Sequence, residues 1–147
     1  MINAIAQWIE TNVFCSGDGI SWIIGNNLFP GSLPQKTASG AIVPVRCAVV
    51  LETPAAAVNW YLADQSDKAI LLWNRAADYP TARKDAFCFF ETMHGTAGWL
   101  LPVVGGPEYE AGSVWALAEP TVVLNPGPDG FYVFTCNYIW VMALKNP

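Results

Sequence analysis

The residues whose types could do chemistry are few: one histidine, His94, four cysteines, Cys15, Cys47, Cys88 and Cys136, and two acids in alternation, Glu108 and Glu110. A serine or cysteine nucleophile needs a base within hydrogen-bond reach, and that base needs an orienting group. With a single histidine just before Gly95, at the end of a helical pattern, a triad has one place to form. A simpler account explains the position, because a cation near a helix C-terminus interacts favourably with the helix dipole and the last carbonyls. Cys88 falls on another face of the same helix, and the scattered cysteines show no paired metal-ligand spacing, so zinc is not expected. Glu108 and Glu110 would share one face of a strand, a geometry able to hold a cation or to work as acid and base. Calcium needs six or more oxygen ligands and no second acidic cluster is present, so the pair reads instead as a charged strand edge that discourages unwanted pairing. Gly17, Asp18 and Gly19 match only the start of a phosphate loop, without the later glycine or the Lys followed by Ser or Thr. The expectation is a chain without catalytic residues, cofactor or metal.

The elements that must position these groups follow from periodicity. Ile2, Ile5, Ala6, Ile9 and Val13 form one stripe opposite Asn3, Gln7 and Glu10, which predicts an N-terminal helix packed on a sheet. Lys68 to Arg75 carries the apolar run Ile70, Leu71, Leu72 and Trp73, a strand that feeds a helix begun by Pro80 and left at Gly95. On that helix Ala82, Ala86, Phe89, Phe90 and Met93 make the buried stripe, while Arg83, Lys84, Asp85 and Glu91 are expected to face elsewhere. From Val43 the chain alternates, with Val45, Cys47, Val49 and Leu51 on one side and Arg46, Ala48, Val50 and Glu52 on the other.

A short strand is expected around Val58, Trp60 and Leu62, an extended piece from Trp99 to Val103, and a strand from Tyr109 to Ala118. That last strand would set Tyr109, Ala111, Ser113, Trp115 and Leu117 on one face and Glu110, Gly112, Val114, Ala116 and Ala118 on the other. Pro126 to Gly130 predicts a hairpin between Thr121–Leu124 and the long run Phe131–Leu144. Ser32 to Ala41 lacks an apolar period and is the best candidate for a mobile loop. The sum is an α+β chain, one domain over residues 1–147, with a single mostly antiparallel or mixed sheet of about six or seven strands and two main helices packed on it.

Composition narrows the function. Of 147 residues, 53% are apolar and only 13% charged, about half the usual charged share. Either small polar residues dress the surface or other chains cover part of it. Each apolar stretch is broken well short of the ~18 residues a membrane helix needs, so no membrane partner is expected. A net charge of −5 opposes nonspecific adhesion to nucleic acid. The N-terminus lacks a basic leader, and with no leader and a core of this size the four cysteines are expected as reduced thiols. Seven tryptophans make it expected that one or two meet another subunit. The interface candidates are Arg46, Trp60, Arg75, Glu108 and Trp115.

Read in order, several strings carry a likeness: the N-terminal helix; Asn27, Leu28, Phe29 and Gly31 with Pro34; Glu52, Thr53 and Pro54; Tyr79 to Arg83; His94 through Trp99; Gly106 to Tyr109; and Asn137, Tyr138 and Ile139. In that order the chain resembles a family of bacteriophage minor capsid proteins, the tail terminators of long-tailed phages. It departs in a longer loop from Gln35 to Ile42 and in Ala55 and Ala56 where glycine is expected. The resemblance implies a structural subunit forming a homo-oligomeric ring, usually a hexamer, at the head-proximal end of the tail. Its partners would be the major tail tube protein and the head–tail connector or stopper, with DNA passing the lumen without specific binding. The location would be the virion neck, after assembly in the host cytoplasm. The alternatives are another neck or head-completion protein, or a cytosolic α+β domain that binds a small ligand in a pocket of convergent polar groups.

Overall fold

A computed structural model describes residues 1–15, 20–53, 65–101 and 109–144. Helix α1 (Ile2–Asn12) leads into a two-stranded ribbon of β1 (Phe14–Cys15) and β2 (Ile20–Ser21). The main sheet contains β3 (Leu28–Pro30), β4 (Cys47–Thr53), β5 (Gln65–Ala76), β6 (Trp99–Leu100), β7 (Tyr109–Ala116), β8 (Thr121–Leu124) and β9 (Tyr132–Leu144), with α2 (Tyr79–Met93) between β5 and β6. Its order is β3-β4-β5-β9-β7-β6, with β8 alongside β9. The β3–β4 pair is parallel and the other pairs antiparallel, so the sheet is mixed and the class is α+β, as the periodicity predicts.

The sheet is built on β5 and β9, paired from Gln65↔Ala143 to Ala76↔Tyr132. Along β5, Ile70, Leu72, Asn74 and Ala76 are buried, whereas Ala69, Leu71, Trp73 and Arg75 are half-buried. That period of two separates a face covered by helices from a face that is not. The covered face holds the main core: Ile5, Trp8 and Ile9 of α1 and Phe89 and Met93 of α2 meet Val50, Leu72, Tyr138, Trp140 and Met142. Trp8 packs edge-on to Trp140 at 6.0 Å, and Trp22 lies 4.7 Å from Phe89.

Helix α2 begins as its residues dictate. Asp78 accepts the Thr81 backbone N–H at 2.9 Å, and Pro80 occupies the first turn, where its missing N–H costs nothing. Two polar anchors then hold it to the sheet. Asn74 Nδ2 donates to the Ala82 carbonyl at 2.9 Å. Arg46 grips Asp85 with two hydrogen bonds, Nε to Oδ2 at 2.8 Å and Nη2 to Oδ1 at 2.6 Å. Asp85 is fully buried, which corrects its expected place among outward-facing residues. Helical periodicity finds the apolar stripe, but it does not reveal an arginine 39 residues away that neutralises an acid within it.

Other readings change as well. Cys15 and Cys88 form a disulfide, because the ribbon after α1 brings their Cα atoms to 5.6 Å although they are 73 residues apart in sequence. Cys47 and Cys136 remain free and buried. The extra residue at Gly112 shifts the register between Ala111↔Met142 and Ser113↔Val141, and Glu110 therefore shares a face with Ser113 and Trp115 instead of opposing them. The segment expected to be a mobile loop is hydrogen-bonded into a hairpin. Lys36 pairs with Ile42, Thr37 N–H donates to the Ala41 carbonyl at 2.9 Å, and Ala38 N–H ties the tip to the Gly25 carbonyl at 2.8 Å. The strand expected around Val58, Trp60 and Leu62 lies outside the described residues.

Two predictions follow from these anchors. Arg46→Ala leaves the Asp85 carboxylate buried and uncompensated and lowers unfolding stability in urea by about 3–5 kcal/mol, while Arg46→Met with Asp85→Leu recovers most of that loss. Reducing the Cys15–Cys88 bond, which closes a loop with a sequence separation of 73, removes up to about 4 kcal/mol and lowers the melting temperature; Cys15→Ser shows the same drop without reductant.

Candidate interaction face

The face of the sheet away from the helices is where the structure departs from an ordinary closed core. Register assigns to it an apolar centre, Val49 and Leu51 of β4, Leu71 and Trp73 of β5, Ile139 and Val141 of β9 and Trp115 of β7, flanked by the polar Asp67, Thr135, Asn137, Glu110 and Ser113. Leu51, Leu71, Trp73, Ile139 and Val141 are half-buried, since neighbours on a flat sheet shade one another, and Trp115 is 38% exposed. No described helix lies over this face. One end is covered by the chain itself, where Phe29, Val43, Cys47 and Val49 form a small second core.

Arg75 belongs to that covered end. Its Nε donates to the Val45 carbonyl at 3.1 Å, and its guanidinium lies 5.1 Å from the Phe131 ring and 5.9 Å from the Trp73 ring. Arg46 is committed to Asp85 on the helix side. Two of the five sequence-named interface candidates are therefore engaged within the subunit, and Trp115 stands exposed on the open face. Trp60 and Glu108 lie outside the described residues, and Glu110 is exposed on the same face as Trp115.

Beside the covered end is an apolar groove of about 260 Å³ lined by Gly31, Ser32, Leu33, Val49, Leu51 and Trp73. A second hollow, about 520 Å³, runs along α2 past the disulfide, between Phe14, Tyr79, Arg83, Phe87 and Glu91. Arg83 there packs over Phe87 at 4.4 Å. Neither hollow brings a nucleophile and a base together. His94 is used structurally: its Nδ1 accepts the Ala116 N–H at 2.9 Å, and the ring stacks on Phe90 at 4.8 Å. That bond joins α2 to β7 and gives His94 a structural role at the helix end. Among the described residues, no three His, Cys, Asp or Glu side chains are grouped to hold a metal ion. No described helix is long and apolar enough to cross a membrane.

The titratable groups with displaced pKa values are core groups. Burial pushes the Cys47 thiol up against the pull of Arg75, and burial likewise raises Cys136. Tyr138, fully buried, is raised by burial first and by Cys136 second, and its hydroxyl makes no hydrogen bond among the described residues. These shifts come from desolvation in a dry interior and give no group poised for proton transfer near neutral pH.

The sequence does not single out Ile42, the most exposed large apolar side chain among the described residues at 88%. Its signal was available only as an isoleucine following Gly40 in a turn-rich stretch. No protein-family model and no curated protein matches this chain, so the functional argument rests on its own residues.

The raised groups set an alkaline limit on stability. Unfolding returns the thiols and the phenol to their ordinary values, 9.0 and 10.0, so above those values the unfolded chain has released protons that the folded chain keeps. Their contribution is whole below about pH 9 and is lost as pH rises. The urea midpoint therefore falls from pH 8 to 10.5, and Tyr138→Phe reduces the part of the fall above pH 10. Because its hydroxyl is buried without a partner, that substitution costs less than about 1 kcal/mol at pH 7.

Proposed function

We propose that this chain is a noncatalytic virion subunit of the tail-terminator kind, which assembles with its own copies into a ring, of six copies as the family resemblance implies, at the head-proximal end of a phage tail. The observation that carries the reading is the apolar sheet face left open among the described residues of a chain with only 13% charged residues. A large exposed apolar patch of this kind marks an interaction surface. Closing a ring requires a heterologous contact, in which one patch meets a different patch on the next copy.

The edge strand β8 supports the same reading. Thr121 to Leu124 contains no proline and no charge, and Val123 and Leu124 are 58% and 37% exposed, so only its shortness and a register shift after Val122 guard it against pairing with another chain. Six copies would carry a charge of about −30, and acids facing a lumen would repel DNA phosphates and let the genome slide. The disulfide fits a virion as well, because such bonds persist outside the reducing cytosol, where a released particle spends its life.

Light scattering and electron microscopy of the purified chain, alone and added to growing tail tubes, test the reading. Rings that stop tube growth are expected, and Trp115→Lys on the open face weakens their assembly. A protein that stays monomeric at high concentration, and whose melting temperature rises with a small ligand, contradicts it.

A further inference from the structure

We infer that neighbouring copies lock by a knob and a hole, Ile42 of one copy seating in the groove over Trp73 of the next; this deepens the self-assembling reading above and rests on it. The knob is built for exposure. Ile42 is 88% exposed, yet the hairpin that carries it is tightly held. Thr37 is buried, its Oγ1 accepts the Ala41 N–H at 3.1 Å, and Ala38 N–H reaches the Gly25 carbonyl at 2.8 Å. Gly40 takes the left-handed conformation that closes the turn, with φ +83°. A lone exposed apolar side chain is ordinary, but one fixed on a braced tip loses little freedom when it docks.

The hole complements it. The groove of about 260 Å³ has no charged residue in its lining and has room for a branched aliphatic side chain with part of its hairpin. Copies that each carry −5 repel one another, and they approach at least cost where neither surface presents an acid. Area points the same way. Strands β4, β5, β9 and β7, about 4.8 Å apart and about eight residues long at roughly 3.4 Å each, present a footprint on the order of 500 Å², whose acids Asp67 and Glu110 lie at the end away from the groove. A stable contact buries about 800 Å² per partner, and the groove rim with Leu33 and the incoming hairpin supply the difference. Repeated head to tail, this contact builds a ring, whereas exchanged about a two-fold axis it would stop at a dimer.

Mixing Ile42→Cys protein with Ser32→Cys protein and oxidising the mixture tests the lock. A crosslinked dimer on a non-reducing gel is expected from the mixture and from neither variant alone, with the buried Cys47 and Cys136 of the unmutated chain giving none. Ile42→Asp, which disturbs no buried contact, should leave the melting temperature of dilute, unassembled protein unchanged and weaken assembly at least about tenfold. If the unmutated chain assembles but Ile42→Asp assembles equally well and the mixture yields no dimer, the lock is wrong and self-assembly by another surface stands. Crosslinking of each single variant with itself as readily as in the mixture also overturns the lock. A chain that stays monomeric throughout overturns both.

Discussion

A sheet has two faces, and the described helices of this chain lie on only one of them. Both α1 and α2 lie on the side of Val50, Leu72, Tyr138 and Trp140, where the largest buried side chains collect. The opposite side keeps Leu51, Leu71, Trp73, Ile139 and Val141 half-buried in a flat row. At ~25 cal/mol per Å² of apolar surface removed from water, leaving such a face uncovered gives up a large stabilisation. A second chain can recover it.

The helix side is held with corresponding firmness. The Arg46–Asp85 pair fixes α2 across β4, Asn74 fixes it to β5, His94 fixes its end to β7, and the Cys15–Cys88 bond fastens the ribbon after α1 to its outer surface. None of these polar groups is arranged to act on a substrate; each satisfies a buried or terminal partner. A rigid back behind a partly apolar front would, under the proposed self-assembly, lose little freedom on docking.

Much of this was legible in the sequence where the signal is local. The stripes of α1 and α2, the alternation around Val49 and the Pro126–Gly130 turn all rest on spacings within one element, and the structure has them. Asp85, Cys15 with Cys88, and Glu110 were misread because each depends on something beyond its own element: an arginine on a distant strand, a sulfur brought close by the ribbon, a single inserted residue in β7. The open face shows the same limit. Leu71 and Trp73 read as members of a buried run, and only the sheet order reveals that no described helix lies over them. Ile42 became visible only when the turn-rich stretch proved to be a braced hairpin.

The central claim is that the open face is covered by another copy. Carbene footprinting of the protein across a dilution series, read residue by residue, addresses it most directly. The account predicts that Leu51, Leu71, Trp73, Ile139 and Val141 become protected together as concentration rises, while exposed positions on the helix side such as Arg83 and Glu91 label equally throughout. Labelling of the open face that stays constant from dilute to concentrated protein contradicts it.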